Sequence, residues 1–310
     1  MLVLINPNAG GGQALRKWRS VEPILRSVNP SFNEYILDGS VEAESTIAQA
    51  LEDGETEFVA GGGDGTVNRI LNTLLALTDK SQIQNISLGA IGLGSSNDFH
   101  KPIRQTRLIE GIPVSMDFAA AASRDIGCIT YDDGQSYKTK YFLVNASAGV
   151  TAEANKFFNS PDKILRRLKQ FHVSSAILYA ATKTILYYNN IHAWVLSPET
   201  GLKAVDLSNL GVVKNPHFSG SLHYPTPADY SSGRFSVHLA HGFRRLALFS
   251  LLSNLARGRF DEGEKSCSWS TNALDVFADR PFAFECDGEI LTTTRAHFSV
   301  LPKHLKVCPC

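Results

Sequence analysis

The chain has 310 residues, of which 43% are hydrophobic and 19% charged, a composition that excludes extensive disorder. Its 30 basic and 30 acidic side chains cancel, so no overall field draws the molecule to nucleic acid or anionic lipid, and any attraction to a charged partner must be local. The first apolar run, 1–5, is too short for a secretory signal, and no apolar run of about 18 residues follows. We therefore expect a cytoplasmic protein without a transmembrane segment, and the length predicts two domains.

Strands and helices alternate through the first part of the chain. The predicted elements are, in chain order, a strand at 2–5, a helix at 14–25, a strand at 32–37, a helix at 41–51, a strand at 58–60, a helix from residue 67 and a strand at 86–93. Apolar positions recur at helical spacing in the helices, and short apolar runs mark the strands. This alternation predicts an α/β domain at residues 1–114 with a parallel sheet.

The pattern changes to strands with few helices after about residue 112. The predicted strands are 115–119, 124–130, 140–144, 192–196, 234–240, 275–278 and 297–300, and the predicted helices are 164–188 and 243–256. This half predicts a mainly β domain, a sandwich, at residues 115–300. Residues 301–310 are expected to form a C-terminal tail.

Three glycine-rich turns follow three of the predicted strands, at 6–12, 61–66 and 94–98. Glycine lets phosphate oxygens approach the backbone closely and adopts a positive φ without strain. Each turn alone is equally well explained as a tight turn with no ligand. Three of them at one edge of a sheet favour a phosphate-binding crevice.

Asp64 lies inside the second of these turns, which has neither the Walker sequence nor the dinucleotide-binding fingerprint. Phosphates repel a carboxylate unless a cation lies between them, so Asp64 indicates Mg²⁺ or a charged acceptor group. The simpler interpretation is that Asp64 caps the helix that follows.

The motifs Asn6-Pro-Asn-Ala-Gly-Gly-Gly12, Gly61-Gly-Gly-Asp-Gly-Thr-Val-Asn68 and Leu88-Gly-Ala-Ile-Gly-Leu-Gly-Ser-Ser-Asn-Asp-Phe99 resemble the nucleotide loops of the diacylglycerol kinase catalytic-domain family. These lipid kinases are related to sphingosine kinases and, more distantly, to NAD kinases. The second motif is highly specific, and the resemblance extends to Pro302.

The resemblance implies ATP and Mg²⁺ as cofactors, with the nucleotide bound mainly by the first domain. The residues that it assigns to nucleotide binding are Asn6, Gly10, Gly11, Gly12, Ser40, Gly61, Gly62, Gly63, Asp64, Gly65, Thr66, Asn68, Gly94, Ser95, Asn97 and Asp98. Ser40 and Ser95 stand where the family usually has threonine. Ser96 replaces the family's usual glycine or alanine.

A late motif, Glu285-Cys-Asp-Gly-Glu289, carries the family's Asp-Gly-Glu. Its spacing fits a surface hairpin turn as well as a catalytic pair. The resemblance favours catalysis, with Glu289 as the base that accepts the acceptor's proton and Asp287 orienting that hydroxyl or Mg²⁺. Asp64 is the third expected catalytic residue, and Asp64 and Asp287 are the expected metal ligands.

A second departure from the family lies at Ala228-Asp-Tyr-Ser-Ser-Gly233. Bacterial members typically carry two aspartates before this glycine and use the loop for a structural Mg²⁺. Serine hydroxyls are poor substitutes for carboxylates at such a site. We therefore predict that a structural metal site is weak or absent here.

The preferred hypothesis is a lipid kinase of phospholipid metabolism, which transfers the γ-phosphate of ATP to diacylglycerol or a related lipid. A kinase acting on a soluble acceptor and a nucleotide-binding regulatory module without catalysis remain alternatives. Helices 164–188 and 243–256, both flanked by basic residues, either lie on an anionic membrane or cover a core. A peripheral membrane location and a homodimer stay open.

Overall fold

The computed structural model describes residues 1–37, 40–160, 162–171 and 173–310, and the side chains of residues 40–42, 106, 170–171 and 173–174 lie outside this description. The chain divides into two compact units. The first unit consists of Met1–Ile126 and Pro302–Cys310, and the second unit is Gly127–Leu301. The predicted boundary at residue 114 therefore lies inside the first unit.

The elements of the first unit follow the alternation that the sequence predicts. They are β1 (Leu2–Ile5), α1 (Ala9–Gly12), α2 (Ala14–Val28), β2 (Asn33–Ile36), α3 (Ser40–Glu52), β3 (Glu57–Gly62), α4 (Asp64–Leu77), α5 (Lys80–Ile83), β4 (Ser87–Gly92), β5 (Leu108–Ile109) and β6 (Ile112–Ser115). Every residue of β1 and β4 is buried, as expected of parallel strands that are covered on both faces.

The sheet of the first unit is largely parallel. Strands β2, β1, β3 and β4 lie side by side in that order, and all three of these pairs are parallel. Strand β6 pairs antiparallel with β4. The prediction of an α/β domain with a parallel sheet is confirmed for these strands, although antiparallel pairs predominate in the chain as a whole.

The last residues of the chain do not form a separate tail. Lys306 and Val307 extend the first unit's sheet by pairing in parallel with the start of β4. The amide of Cys308 continues this pairing by donating to the Leu88 carbonyl at 2.9 Å, and Cys308 is fully buried. Leu305 and Val307 are buried on either side of the more exposed Lys306, and this alternation is the physical reason why the segment forms a strand of the sheet.

Amphipathic helices cover the parallel strands. Helix α2 buries Ala14, Trp18, Val21 and Leu25, which recur at the three- and four-residue spacing of one helical face. Trp18 contacts Phe32 edge to face, with ring centroids 6.0 Å apart. One part of the first unit's core thus lies between this face and the sheet.

The second unit is mainly β, as predicted. Its elements, with two strands that continue beyond its ends, are β7 (Ala122–Asp132), β8 (Tyr137–Phe142), β9 (Asn145–Gly149), α6 (Val150–Phe158), α7 (Lys163–Phe171), α8 (Val173–Tyr187), β10 (Ile191–Ser197), β11 (Gly201–Val213), β12 (His217–Phe218), β13 (Leu222–His223), β14 (Phe235–His241), α9 (Arg245–Leu255), β15 (Ser266–Thr271), β16 (Ala273–Cys286) and β17 (Glu289–Val307). The predicted helix at 164–188 is two helices, α7 and α8.

The predicted two-sheet sandwich is wrong: apart from the short β12–β13 pair, the strands of this unit form one continuous antiparallel sheet around a main core. Strand β11 pairs with β10 at its first half and with β9 and β14 at its second half. Strand β16 does the same with β10 and β9. Both long strands have an irregular register, and such bulges let a strand bend and change partners.

One face of this sheet encloses the main core, and helices cover part of the remaining surface of the sheet. The main core joins side chains from β7 to β17, among them Phe142, Leu210 and Phe284. A second cluster lies under α9. Among the described residues, no helix combines the length and the apolar composition that crossing a bilayer requires.

Candidate active site

The three glycine-rich turns meet at one edge of the first unit's sheet. Strands β1, β3 and β4 are parallel neighbours, so the turns that follow them lie at the same end. The Asn6 side-chain amide donates to Thr66 Oγ1 at 3.0 Å, which joins the first turn to the second. The Leu93 amide donates to the Gly62 carbonyl at 2.8 Å, which joins the second to the third.

The glycines of these turns are required for two different physical reasons. A Cβ on Gly94 would lie 2.4 Å from the Gly63 Cα, and one on Gly62 would lie 2.2 Å from Thr66 Oγ1. The second and third turns therefore approach each other as only glycine allows. In the first turn the reason is the left-handed backbone, since Gly10, Gly11 and Gly12 have φ values of 59°, 67° and 84°.

The remaining predicted residues of the second turn differ in access. Gly65 is exposed in the first turn of α4. Thr66 and Asn68 are buried, and the Asn68 side-chain oxygen accepts from Asn72 Nδ2 at 3.1 Å. Asn68 therefore supports the helix from inside. Its assignment to nucleotide binding stays a prediction.

The third turn is held by Asn97, whose backbone is left-handed with a φ of 51°. Its side-chain oxygen accepts from the Gly94 amide and its side-chain amide donates to the Gly92 carbonyl, both at 3.0 Å. Ser95 is exposed at the tip of this turn. Asp98 is buried and pairs with the Lys101 ammonium at 2.7 Å.

Asp64 links the second turn to the third. One of its carboxylate oxygens accepts from the Phe99 amide at 2.8 Å. Gly63 occupies the N-cap position of α4, so Asp64 lies in the first turn of the helix rather than at its cap. Because Mg²⁺ is commonly held by one or two carboxylates together with phosphate oxygens, Asp64 also fits a cation that bound phosphates would share.

Lys17 belongs to this edge, although its sequence context did not reveal it. Its ammonium donates to the carbonyls of Leu93 and Gly94 at 3.3 and 3.0 Å. Burial and then the neighbouring Arg16 lower the pKa of Lys17. The ammonium carries three N–H bonds, so it can bind these two carbonyls and still donate to an anion.

Ser40 begins α3, but its side chain lies outside the described residues, so its assignment to the nucleotide is not addressed by the structure.

Asp287 is a buried anchor in the second unit. It lies in the turn between β16 and β17 with a φ of 44°. Its carboxylate accepts from three successive amides, those of Leu143, Val144 and Asn145, at 2.7, 3.1 and 2.8 Å. Both oxygens are therefore engaged with the backbone, and the assignment of Asp287 as a metal ligand stays a prediction.

Glu289, two residues further on, is in a different environment. Its side chain is 44% exposed and forms an ion pair with the Lys140 ammonium at 3.0 Å. Burial and then the charge of Glu289 raise the pKa of the nearby Tyr131. Glu289 is therefore an accessible carboxylate that can accept a proton.

Three residues of this region have a role in the structure that the sequence did not predict: Glu285, Ser147 and Lys140. Glu285 is buried, accepts from Ser147 Oγ at 3.1 Å and also accepts from the Gly288 amide. Lys140 is the ion-pair partner of Glu289. Ser147 lies 138 positions from Glu285 and Lys140 lies 149 positions from Glu289, so no local sequence signal identifies these two contacts.

In the loop at 228–233, other groups of the protein bind the carboxylate of Asp229. Asp229 accepts from the Ser231 and Ser232 amides at 3.3 and 3.1 Å, and the buried Lys214 ammonium lies 3.9 Å away. Burial works to raise the pKa of Asp229, but the bonds from Ser232 and the charge of Lys214 outweigh it and lower the pKa. The weak or absent structural metal stays a prediction.

Among residues 1–37, 40–160, 162–171 and 173–310, no group of three or more His, Cys, Asp and Glu side chains could enclose a metal ion. The assignment of Asp64 as a metal ligand stays a prediction, because that site would need phosphate oxygens to complete it.

Comparison with known proteins agrees with the motifs. Residues 1–126 match the family model of the diacylglycerol kinase catalytic domain. Diacylglycerol kinases of Mycobacterium tuberculosis and Staphylococcus saprophyticus are 23% and 24% identical to this chain, with coverage of 97% and 98% of this chain and 94% and 93% of theirs.

A solved structure shares the fold. A crystal structure of a diacylglycerol kinase from Bacillus anthracis superimposes with a TM-score of 0.68 at 14% identity, over 100% of this chain and 96% of that one. The family-model match over residues 1–126 and the sequence relatives confirm the resemblance to the diacylglycerol kinase catalytic-domain family. The prediction of an ATP-dependent kinase is confirmed at the level of this domain.

Proposed function

We propose that the protein is an ATP-dependent lipid kinase, which transfers the γ-phosphate of ATP to a hydroxyl of diacylglycerol or a related lipid. The observation that supports it best is the joining of three glycine-rich turns at one sheet edge of the first unit. Hydrogen bonds from Asn6 and Leu93 tie these turns together. An edge of this kind presents several backbone amides to one anion.

The triphosphate would be bound by the first two turns. At Gly11 and Gly12 the space where a Cβ would stand is open, so phosphate oxygens can reach the backbone there. The exposed start of α4 adds amide groups and the positive end of a helix dipole. Lys17 supplies the cation at the third turn. Ser95, exposed at its tip, provides a hydroxyl donor.

Glu289 would act as the base. As the acceptor oxygen attacks the γ-phosphorus, its proton passes to the Glu289 carboxylate, and the bond to the leaving ADP oxygen breaks. Lys140 holds that carboxylate by its ion pair. Asp287 acts through the backbone that it binds and is a positioning residue.

Magnesium, when bound with the nucleotide, neutralises the phosphates' charge. Asp64 is the residue of the second turn that would contact it.

We further propose a cytoplasmic protein that meets its lipid substrate at a membrane surface. The homodimer remains a prediction.

The experiment incubates the protein with γ-labelled ATP, Mg²⁺ and a panel of lipids and soluble alcohols. Label in the lipid fraction supports the proposal. Label only in soluble products contradicts the lipid acceptor and favours the soluble-acceptor kinase, and no transfer at all favours the regulatory module.

A further inference from the structure

Helix α9 has apolar residues on two sides, one buried and one exposed. Leu248, Leu251 and Leu255 are buried in a cluster with Tyr224 and Phe260. These leucines therefore cover the core, which is one of the two roles that the sequence allowed for the helix at 243–256. Membrane contact, if this helix makes it, must use other residues.

The outer side of the helix begins with two exposed apolar residues. Leu246 is 85% exposed and Phe249 is 37% exposed. At about 100° per residue, these two positions lie on one side of the helix. The same side continues in Ser250. We call Arg244, Arg245, Leu246 and Phe249 the α9 platform.

The platform and the helix that follows it are cationic, and three exposed acids, Asp261, Glu262 and Glu264, lie just beyond them. The segment 243–259 contains four arginines and neither aspartate nor glutamate. They are Arg244, Arg245, Arg257 and Arg259, and all four are exposed. In the part of the chain that the structure describes, no carboxylate forms an ion pair with any of them. Asp261, the nearest acid after the segment, is bonded to Asn254 at 2.7 Å.

The position of two of these arginines is unfavourable for the helix itself. Arg244 is the N-cap and Arg245 the first residue of α9, where the positive end of the helix dipole disfavours a further positive charge. Local conflicts of this kind are expected where a function requires the residue. An anionic surface facing this end of the helix would reverse the unfavourable interaction.

We propose that the α9 platform docks on a bilayer that contains anionic phospholipid. Leu246 and Phe249 enter the boundary between headgroups and acyl chains, and the arginines bind lipid phosphates. Two apolar side chains are too small a surface for a stable protein interface. They suffice for reversible membrane binding when cationic side chains surround them. This inference rests on the proposed function, since a lipid kinase must reach an acceptor in a membrane.

The test measures sedimentation of the intact protein with vesicles. Phosphatidylcholine vesicles serve as the neutral surface, and vesicles that also contain phosphatidylglycerol serve as the anionic one. We expect binding to the anionic vesicles only. Arg244→Gln with Arg245→Gln should weaken it by about 25-fold, at about fivefold per charge. Leu246→Ser should weaken it by about tenfold.

Two control variants test whether vesicle binding depends on the platform itself rather than on net charge or on exposed leucines in general. Arg166→Gln with Arg167→Gln removes two exposed charges from α7, and Leu202→Ser removes a leucine that is 59% exposed on β11. Both should bind like the unaltered protein. Thermal unfolding midpoints check that all variants fold, as expected for exposed positions.

Equal vesicle binding by the α9 double variant and the unaltered protein overturns the proposal, and so does an equal loss in the α7 double variant. Phosphorylation of an acceptor in detergent micelles, which needs no docking, should persist in every variant. If neither the unaltered protein nor any variant phosphorylates that acceptor, but the unaltered protein still binds anionic vesicles, the kinase proposal fails and the docking surface stands.

Discussion

The turns of the first unit and the turn between β16 and β17 in the second unit use different means to hold reactive groups. The first unit relies on backbone, with glycines such as Gly62 and Gly94 packed where no Cβ fits. The second unit relies on carboxylates, and three within five residues have three separate environments. Glu285 is buried beside Ser147, Asp287 binds three amides and Glu289 is half-exposed. Spacing alone cannot assign roles to such carboxylates.

The sharpest test of this difference concerns Glu289. Glu289→Gln removes the proposed base and should lower turnover by about 10²–10⁴-fold, while nucleotide affinity, which the first unit determines, stays unchanged. Steady-state rates and calorimetric titration with ATP measure the two quantities. Glu264→Gln, an exposed carboxylate of the same unit, is the control. Near-normal turnover in Glu289→Gln would remove this residue from the mechanism.

Asp287 should affect folding more than any other carboxylate of this turn. Asp287→Asn keeps a residue that tolerates positive φ, but it turns one acceptor into a donor against the amides of 143–145. We expect the free energy of unfolding to fall by about 3–4 kcal/mol. Urea unfolding measures the loss. Glu289→Gln should cost less than about 1 kcal/mol, and equal losses in the two variants would contradict the division of roles.

Buried histidines give a pH test with one member in each unit. Burial lowers the pKa of His100 and of His238 to about 4, below the unfolded value of about 6.5. Their neutral forms therefore stabilise the fold fully above about pH 6.5. Each contribution, on the order of 2–3 kcal/mol, is lost as the pH falls from about 6.5 towards 4.

Stability measured across this range should fall less steeply in His100→Gln and in His238→Gln than in the unaltered protein. The comparison concerns the slope, so a constant loss of stability from either substitution does not affect it. An unchanged slope in both variants would show that folding does not lower the pKa of these side chains.

Gly94→Ala tests the backbone contact of the first unit. The added Cβ would lie 2.4 Å from the Gly63 Cα, so the second and third turns must separate. Nucleotide affinity should fall by about tenfold or more, as expected when binding groups lose their preorganised positions. Gly263→Ala adds a methyl group in open space and should leave affinity unchanged. Titration with ATP distinguishes the two variants.

The sequence predicted the first unit well because its signals are local. Strand, glycine turn and helix follow one another within about 20 residues, and their pattern is readable along the chain. It did not reveal Lys17, because the carbonyls of Leu93 and Gly94 lie more than 70 positions away. The sequence did not reveal the pairing of residues 306 and 307 with β4 for the same reason, because the paired residues are far apart along the chain.

The second unit was harder to predict because distant contacts define it. Strand β11 contains buried polar residues, and Asn209 is bonded to Tyr224 and Thr151, so its sequence does not alternate. The bends of β11 and β16 convert the expected sandwich into one sheet. For Asp287, the amides that determine its role lie about 140 residues earlier.

The most direct test of the kinase proposal is phosphorus NMR of the intact protein with ATP, Mg²⁺ and dispersed diacylglycerol. We predict that a lipid phosphomonoester resonance grows in step with ADP, one for one. Release of inorganic phosphate with ADP, or no change in ATP, would contradict phosphoryl transfer to the lipid.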